Sequence, residues 1–201
     1  YFYVRVNHQV ISCPVLITIC VDKNGHRKIL GIDIAFEESY QSYLNHFEKI
    51  KEKGVKKVDL TISDDHKGLI KAQQEVFPHT PHQRCICHFM RNALSYVPYR
   101  EKAKLADYLK QIFNSPSREM ATTIAKMIAQ EYQTSYHKVS QMLEEELEFT
   151  LTYLAYPTHH QRKIRTTNLI EGVINKDLKQ RSKVVGIFPN QESCLRYVCL
   201  R

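Results

Sequence analysis

Short β-branched runs and turn residues alternate along the first third of the chain. Residues 14–21 (PVLITICV) and 28–34 (KILGIDI) are rich in Val, Ile and Thr, and residues 22–25 (DKNG) separate them. Two β-branched runs joined by an Asn-Gly pair are typical of a β-hairpin. A similar run at residues 1–6 (YFYVRV) predicts a further strand.

The hydrophobic pattern then changes to a helical period. Apolar residues recur every three or four positions across residues 38–53, which predicts an amphipathic helix. Residues 58–62 (VDLTI) alternate with period two and predict a strand, and a second helical stripe follows at residues 69–77. Residues 81–87 fit another strand, and residues 88–94 fit the start of a helix. Strands interleaved with helices in this way predict an α/β fold.

The middle of the chain has a helical pattern only. From residue 99 to residue 160 the apolar stripes are interrupted at residues 114–116 (NSP) and at Pro157. We therefore expect an all-helical insertion over 99–160, set into an α/β core formed by residues 1–98 and 161–201.

The charge of the chain points to an anionic partner. Lys and Arg number 29 against 21 Asp and Glu, a net charge of +8, and residues 158–187 alone carry seven basic and two acidic residues. This local excess favours nucleic acid. The acidic run at residues 144–148 (EEELE) is typical of a solvated helix face. No apolar run approaches the roughly 20 residues of a membrane span, so we expect a cytoplasmic protein without a membrane partner.

Asp64 is the first candidate for chemistry. It follows the strand predicted at residues 58–62, and side chains at the carboxyl ends of strands in open α/β sheets commonly face a ligand crevice. A carboxylate there suits Mg²⁺, which prefers oxygen ligands. Alternatively, Asp64 or Asp65 caps the helix that follows.

Glu171 is the second candidate. It lies at the edge of an apolar helical stripe, between the predicted core and the basic side chains of the last segment. A carboxylate at that boundary could bind a metal ion while the basic residues hold DNA phosphates. Alternatively, Asn168 is a helix N-cap and Glu171, three residues later, is its capping-box partner.

The cysteines allow three interpretations. Cys85, Cys87 and His88 offer soft metal ligands, but a structural zinc site usually needs four. A thiol beside an imidazole could also act as a nucleophile. The preferred interpretation is that small reduced thiols pack in a buried strand and that His88 makes a polar contact. None of the six cysteines follows the dense spacing of a secreted disulfide scaffold.

Four segments, taken together and in order, resemble one known family. They are residues 62–69 (ISDDHKGL), 83–92 (QRCICHFMRN), 164–175 (IRTTNLIEGVIN) and 184–190 (VVGIFPN). The chain is similar over nearly its whole length to the Mutator-type transposases of bacterial insertion sequences. The resemblance implies a ribonuclease H-like mixed sheet flanked by helices and interrupted by a helical insertion.

The same resemblance implies a catalytic set of two Asp residues and one Glu that binds two Mg²⁺ or Mn²⁺ ions. Asp64 is similar to the second Asp of the family and Glu171 to its Glu, while Cys85 and His88 look like its Cys-x-x-His signature. The first Asp and the N-terminal DNA-binding region belong upstream of Tyr1, so we expect this fragment alone to be inactive. Another departure is Gly172, where many relatives have a basic residue.

The predicted function is DNA transposition by metal-dependent cleavage and strand transfer, with double-stranded DNA as partner and a homo-oligomer assembled on it. The alternative is a non-catalytic, DNA-binding remnant of a transposase. Helix N-termini favour anions, so we also expect DNA phosphate at the start of the predicted helix that carries Glu171. The residues that we expect to contact DNA are Arg162, Arg165, Thr166, Thr167, Asn168, Lys179, Arg181 and Lys183.

Overall fold

The chain is an α/β protein whose contacts divide it into two compact units. The computed structural model describes residues 1–22, 24–167, 172, 178, 180 and 185–199. The first unit comprises residues 1–58, 66–80 and 169–201, and the second comprises residues 59–65 and 81–168. No helix among the described residues is long and apolar enough to cross a bilayer.

Seven strands, eight α-helices and two short 3-10 helices (Leu147–Thr150 and Thr152–Ala155) have their bounds in the described part of the chain. The strands are β1 (Phe2–Val6), β2 (Gln9–Cys13), β3 (Val15–Val21), β4 (Arg27–Ile34), β5 (Thr61–Ser63), β6 (His82–Arg84) and β7 (Ile187–Phe188). The helices are α1 (Tyr40–Glu52), α2 (Lys67–Val76), α3 (Ile86–Ser95), α4 (Tyr99–Phe113), α5 (Arg118–Tyr132), α6 (His137–Glu145), α7 (Thr158–Ile164) and α8 (Gln191–Cys199).

The first unit contains a mixed sheet and a hairpin. β1 pairs antiparallel with β2 and parallel with β7, and β3 pairs antiparallel with β4. The predicted Asn-Gly turn is confirmed, with Gly25 at φ 82°. Strand β2 was not predicted, because the turn before it uses Asn7 and His8 at φ 48° and 66° rather than glycine. Asn and His are among the side chains that best tolerate positive φ.

Helix α1 follows the predicted apolar stripe. It buries Tyr43, Phe47 and Ile50, which pack with residues of α2 and β3. The Ser39 side chain accepts a hydrogen bond from the Ser42 amide at 3.3 Å and so caps the first turn. The prediction of an amphipathic helix in this segment is confirmed.

The second unit combines one parallel strand pair with helices. β5 and β6 pair in parallel, and α3 to α6 bury a single apolar cluster that includes Phe89, Leu105 and Leu109. The predicted breaks are confirmed, since Asn114 ends α4, Ser117 caps α5 and Pro157 precedes α7. The boundaries of the helical insertion at residues 98 and 161 stay a prediction.

Two predicted strands are shorter in the structure. The strand expected at residues 58–62 is limited to Thr61–Ser63. Side chains bond the carbonyls before it, since Thr80 Oγ1 donates to Val58 O at 2.9 Å and Tyr156 Oη donates to Asp59 O at 2.6 Å. The strand expected at 81–87 ends at Arg84. The interpretation of the cysteines as strand residues is therefore wrong, because they belong to the start of α3.

Candidate active site

The parallel pairing of β5 and β6 brings two of the candidate segments to one edge. The last residue pair in register is Ser63 with Arg84, so Asp64 and Cys85 both follow the carboxyl ends of their strands. The Cys85 amide donates to Ser63 O at 2.7 Å and extends this pairing by one bond. Asp64 therefore occupies the strand end that the sequence predicted.

The two adjacent aspartates have different surroundings. Asp65 Oδ2 lies 3.2 Å from Arg84 Nη2. The Asp64 side chain is exposed, and no group in the described ranges bonds its carboxylate. The N-cap of α2 is His66, whose Nδ1 accepts from the Leu69 amide at 3.4 Å. The interpretation of Asp64 or Asp65 as that cap is wrong, and Asp64 is the carboxylate left available to a ligand.

A chain of hydrogen bonds fixes the backbone at Asp64. Ser63 Oγ donates to the Asp64 carbonyl at 2.8 Å and lies 2.8 Å from His82 Nε2. Since the serine proton is used in its bond to the carbonyl, His82 Nε2 is the donor to Ser63 Oγ. Burial lowers the pKa of His82, although the nearby carboxylates of Asp65 and Asp64 oppose that shift. The neutral imidazole thus holds the turn that carries Asp64.

A buried guanidinium stands beside this turn. Arg84 is 3% exposed, and its Nη1 lies 2.5 Å from Glu146 Oε2. Glu148 of the same acidic run pairs with Arg118. Glu144, Glu145 and Glu148 are exposed, as a solvated face predicts, while the half-buried Glu146 also serves as the partner of a buried arginine.

Cys85 connects the start of α3 to the segment before Glu171. Its buried Sγ accepts hydrogen bonds from Thr167 N at 3.3 Å and from Thr167 Oγ1 at 3.2 Å. Next to it, the Ile86 amide donates to Arg165 O at 3.0 Å. His88 is half-buried in the first turn of α3. Cys85 therefore acts as a structural link between two of the motifs.

This arrangement gives no support to the soft-ligand and nucleophile interpretations. The described residues contain no group of three His, Cys, Asp or Glu side chains that could hold a metal ion. The Cys85 sulfur is fully buried and already accepts two hydrogen bonds. It is not exposed to a substrate, and the described residues do not supply the further ligands that a zinc site needs.

The predicted DNA-binding residues differ in their surroundings. Arg162 is exposed in the last turn of α7. Arg165 is half-buried and donates from Nη1 to Phe113 O at 2.9 Å, where Tyr153 Oη also donates at 3.0 Å. Thr166 is half-buried. The remaining candidates lie outside the described residues: Asn168, Glu171, Lys179, Arg181 and Lys183.

Gln83 was missed as a functional candidate. Its side chain is fully buried, with Nε2 donating to Thr150 O at 2.7 Å and Oε1 accepting from Tyr153 N at 2.7 Å. These bonds anchor β6 to the two short 3-10 helices after α6. In the sequence, Gln83 was marked only by its place in the 83–92 motif. Its buried role could not be predicted, because Thr150 and Tyr153 are 67 and 70 residues away.

The site thus belongs to an α/β protein in which Asp64 stands exposed at a strand end, with no described residue bonded to its carboxylate. The family model described as Transposase, Mutator family, matches residues 1–200. The chain belongs to that family, as the motifs indicated.

Named relatives agree with this membership. The chain is 35% identical over 198 residues to the transposase for insertion sequence element ISRM5 of Rhizobium meliloti, covering 98% of this chain and 50% of that protein. It is 35% identical over 199 residues to the IS406 transposase of Burkholderia multivorans and 33% identical over 200 residues to the IS256 transposase of Staphylococcus aureus, covering 98% of this chain and 51% of each relative. The chain spans about half the length of these curated relatives.

Proposed function

We propose that this chain is the catalytic part of a DNA transposase that cleaves and rejoins DNA by metal-dependent phosphoryl transfer. The observation that carries the proposal is the exposed Asp64 carboxylate at the carboxyl end of β5, to which no described residue is bonded, in a chain matched over residues 1–200 by a transposase family. The relatives are named as transposases for insertion sequence elements, which supports the same role here.

The chemistry of Asp64 fits Mg²⁺ or Mn²⁺. Both ions prefer oxygen ligands, and Mg²⁺ is commonly bound by one or two carboxylates together with substrate phosphates. The family resemblance assigns Glu171 to the same two-metal set, together with a further Asp of the family. It also implies a ribonuclease H-like fold, and the mixed β2–β1–β7 sheet and the parallel β5–β6 pair are compatible with one.

When bound, two metal ions supply a clamp that stabilises both the attacking and the leaving oxygen of an in-line displacement at phosphorus. Asp64 would hold an ion through its carboxylate, and the bonds from Ser63 and His82 would keep the backbone of that carboxylate in place. No covalent bond between protein and DNA is needed.

The partner would be double-stranded DNA, both element ends and target. The exposed Arg162 is the described residue best placed to bind a backbone phosphate, and Lys179, Arg181 and Lys183 would add to the same basic segment. Affinity would then fall steeply with salt, as counterions are released from the DNA. Cutting two element ends favours a homo-oligomer, and DNA in the bacterial cytoplasm is the expected substrate.

The test is nicking and strand joining on duplexes that carry the element ends, using the full-length gene product with Mg²⁺. We expect Asp64→Ala and Glu171→Ala to abolish both reactions while DNA binding and thermal unfolding remain as in the parent. Parent protein that binds these duplexes yet neither nicks nor joins them would instead identify the non-catalytic remnant.

A further inference from the structure

The two neighbouring carboxylates at the end of β5 are not equivalent, and Arg84 makes the difference. Its guanidinium reaches Asp65 Oδ2 at 3.2 Å and Glu146 Oε2 at 2.5 Å, and the side chain is 3% exposed. A buried charge is tolerated only when it is paired and hydrogen-bonded. Arg84 is paired on both sides, whereas the carboxylate of Asp64 has no described partner.

The position of Arg84 is set by the strand register. It lies opposite Ser63, the residue that precedes both aspartates, so its side chain is adjacent to their turn. The guanidinium carbon lies 5.2 Å from the centre of the Phe89 ring. Arg84 Nε is buried without a hydrogen-bond partner in the described part of the chain. The two terminal nitrogens, Nη1 and Nη2, therefore make the contacts with the carboxylates. A planar guanidinium can bind two carboxylates in one fixed geometry, which a lysine ammonium cannot reproduce.

We propose that Arg84 is a positioning residue that withholds Asp65 from the metal site, so that Asp64 alone of the pair binds the ion. This inference rests on the proposed function. Without Arg84, a second uncompensated carboxylate would stand one residue from Asp64. Carboxylates are the oxygen ligands that Mg²⁺ and Mn²⁺ prefer, so Asp65 would then compete for the ion and draw it away from the position that Asp64 defines.

Direct binding of Mn²⁺ tests the inference without relying on activity. The full-length gene product is titrated with Mn²⁺, and free Mn²⁺ is followed by electron paramagnetic resonance. In the parent, Asp64→Asn should weaken binding about tenfold or more, and Asp65→Asn should leave it unchanged. In the Arg84→Met background, Asp65→Asn should itself weaken binding severalfold, because the released carboxylate has become a ligand.

Turnover gives a second readout that a merely structural role would not produce. Arg84→Met should lower the rate of nicking at saturating Mg²⁺, and adding Asp65→Asn should restore part of that rate by removing the competing carboxylate. Glu146→Gln is the matched control, since it removes the other partner of the same guanidinium but leaves Asp65 held. It should not change the contribution of either aspartate to Mn²⁺ binding.

The outcomes separate this inference from the proposed function. Equal effects of Asp65→Asn in the parent and in the Arg84→Met background would overturn the role of Arg84. Unchanged Mn²⁺ binding by Asp64→Asn in the parent would overturn the metal site itself. If Arg84→Met does not unfold cooperatively, the same measurements are made in Arg84→Gln, whose neutral amide carries no charge to hold Asp65.

Discussion

Replacement of the buried Gln83 should be among the most destabilising changes in the second unit. Its amide bonds three backbone groups, Thr150 O, Arg84 O and Tyr153 N, each at 2.7 Å, and all three partner residues are at most 3% exposed. Gln83→Met keeps the length and approximate volume of the side chain, so the main loss is polar. A buried donor or acceptor left without its partner costs about 1–3 kcal/mol.

Three backbone groups lose a partner, and at about 2 kcal/mol each they predict a loss of about 6 kcal/mol in the free energy of unfolding. That is a large share of the roughly 5–15 kcal/mol of a typical domain. Urea denaturation followed by circular dichroism measures it. The matched control is Gln141→Met in α6, an exposed glutamine of the same unit, for which we expect a change within about 0.5 kcal/mol. A loss for Gln83→Met within about 1 kcal/mol of the control would refute the reasoning.

Three further predictions follow from other contacts. Cys85→Ala should lower the free energy of unfolding by about 2 kcal/mol, because the Thr167 amide and hydroxyl lose their acceptor, and urea denaturation measures this. Burial lowers the pKa of both His82 and His46, so the unfolded chain binds more protons in mildly acidic solution. The free energy of unfolding should therefore fall as pH drops below about 6.5, the ordinary histidine pKa, and level off below the folded-state pKa values; urea titrations across that range test this. Arg162→Ala should weaken DNA binding and reduce the slope of log affinity against log salt by about 1, as measured by fluorescence anisotropy.

Each of these predictions has a distinguishing control. Cys85→Ser retains an acceptor and should be less destabilising than Cys85→Ala; equal losses would contradict the role of the sulfur. Replacing both His46 and His82 with glutamine should flatten the pH dependence, and an unchanged dependence would assign it elsewhere. Lys110→Ala is the control for Arg162, since Lys110 pairs with Asp107 in α4, and an equal effect of both would indicate nonspecific charge.

Local pattern was sufficient for much of the fold. The Asn-Gly turn, the apolar stripe of α1 and the breaks at Asn114 and Pro157 depend on neighbouring residues, and the structure contains all of them. Strand lengths were less predictable. The alternation at residues 58–62 is real, but side chains distant in sequence bond the carbonyls of Val58 and Asp59, and the strand begins only at Thr61.

In the candidate site, too, features set by neighbouring residues were predictable and features set by distant residues were not. The place of Asp64 at a strand end followed from period and position, whereas its distinction from Asp65 required a partner on another strand. The link between Arg84 and Glu146 spans 62 residues, and nothing in a single sequence pairs those two positions. Long-range polar pairs of this kind depend on tertiary packing, which hydrophobic periodicity does not encode.

The most direct test of the central claim is metal rescue of an Asp64→Cys variant in the full-length gene product. A thiolate is a softer ligand than a carboxylate and supports Mn²⁺ better than Mg²⁺. We expect Asp64→Cys to be inactive in nicking with Mg²⁺ and to regain activity with Mn²⁺, while Asp65→Cys remains active with Mg²⁺. Near-parental activity of Asp64→Cys with Mg²⁺ would contradict the assignment of Asp64 as a metal ligand.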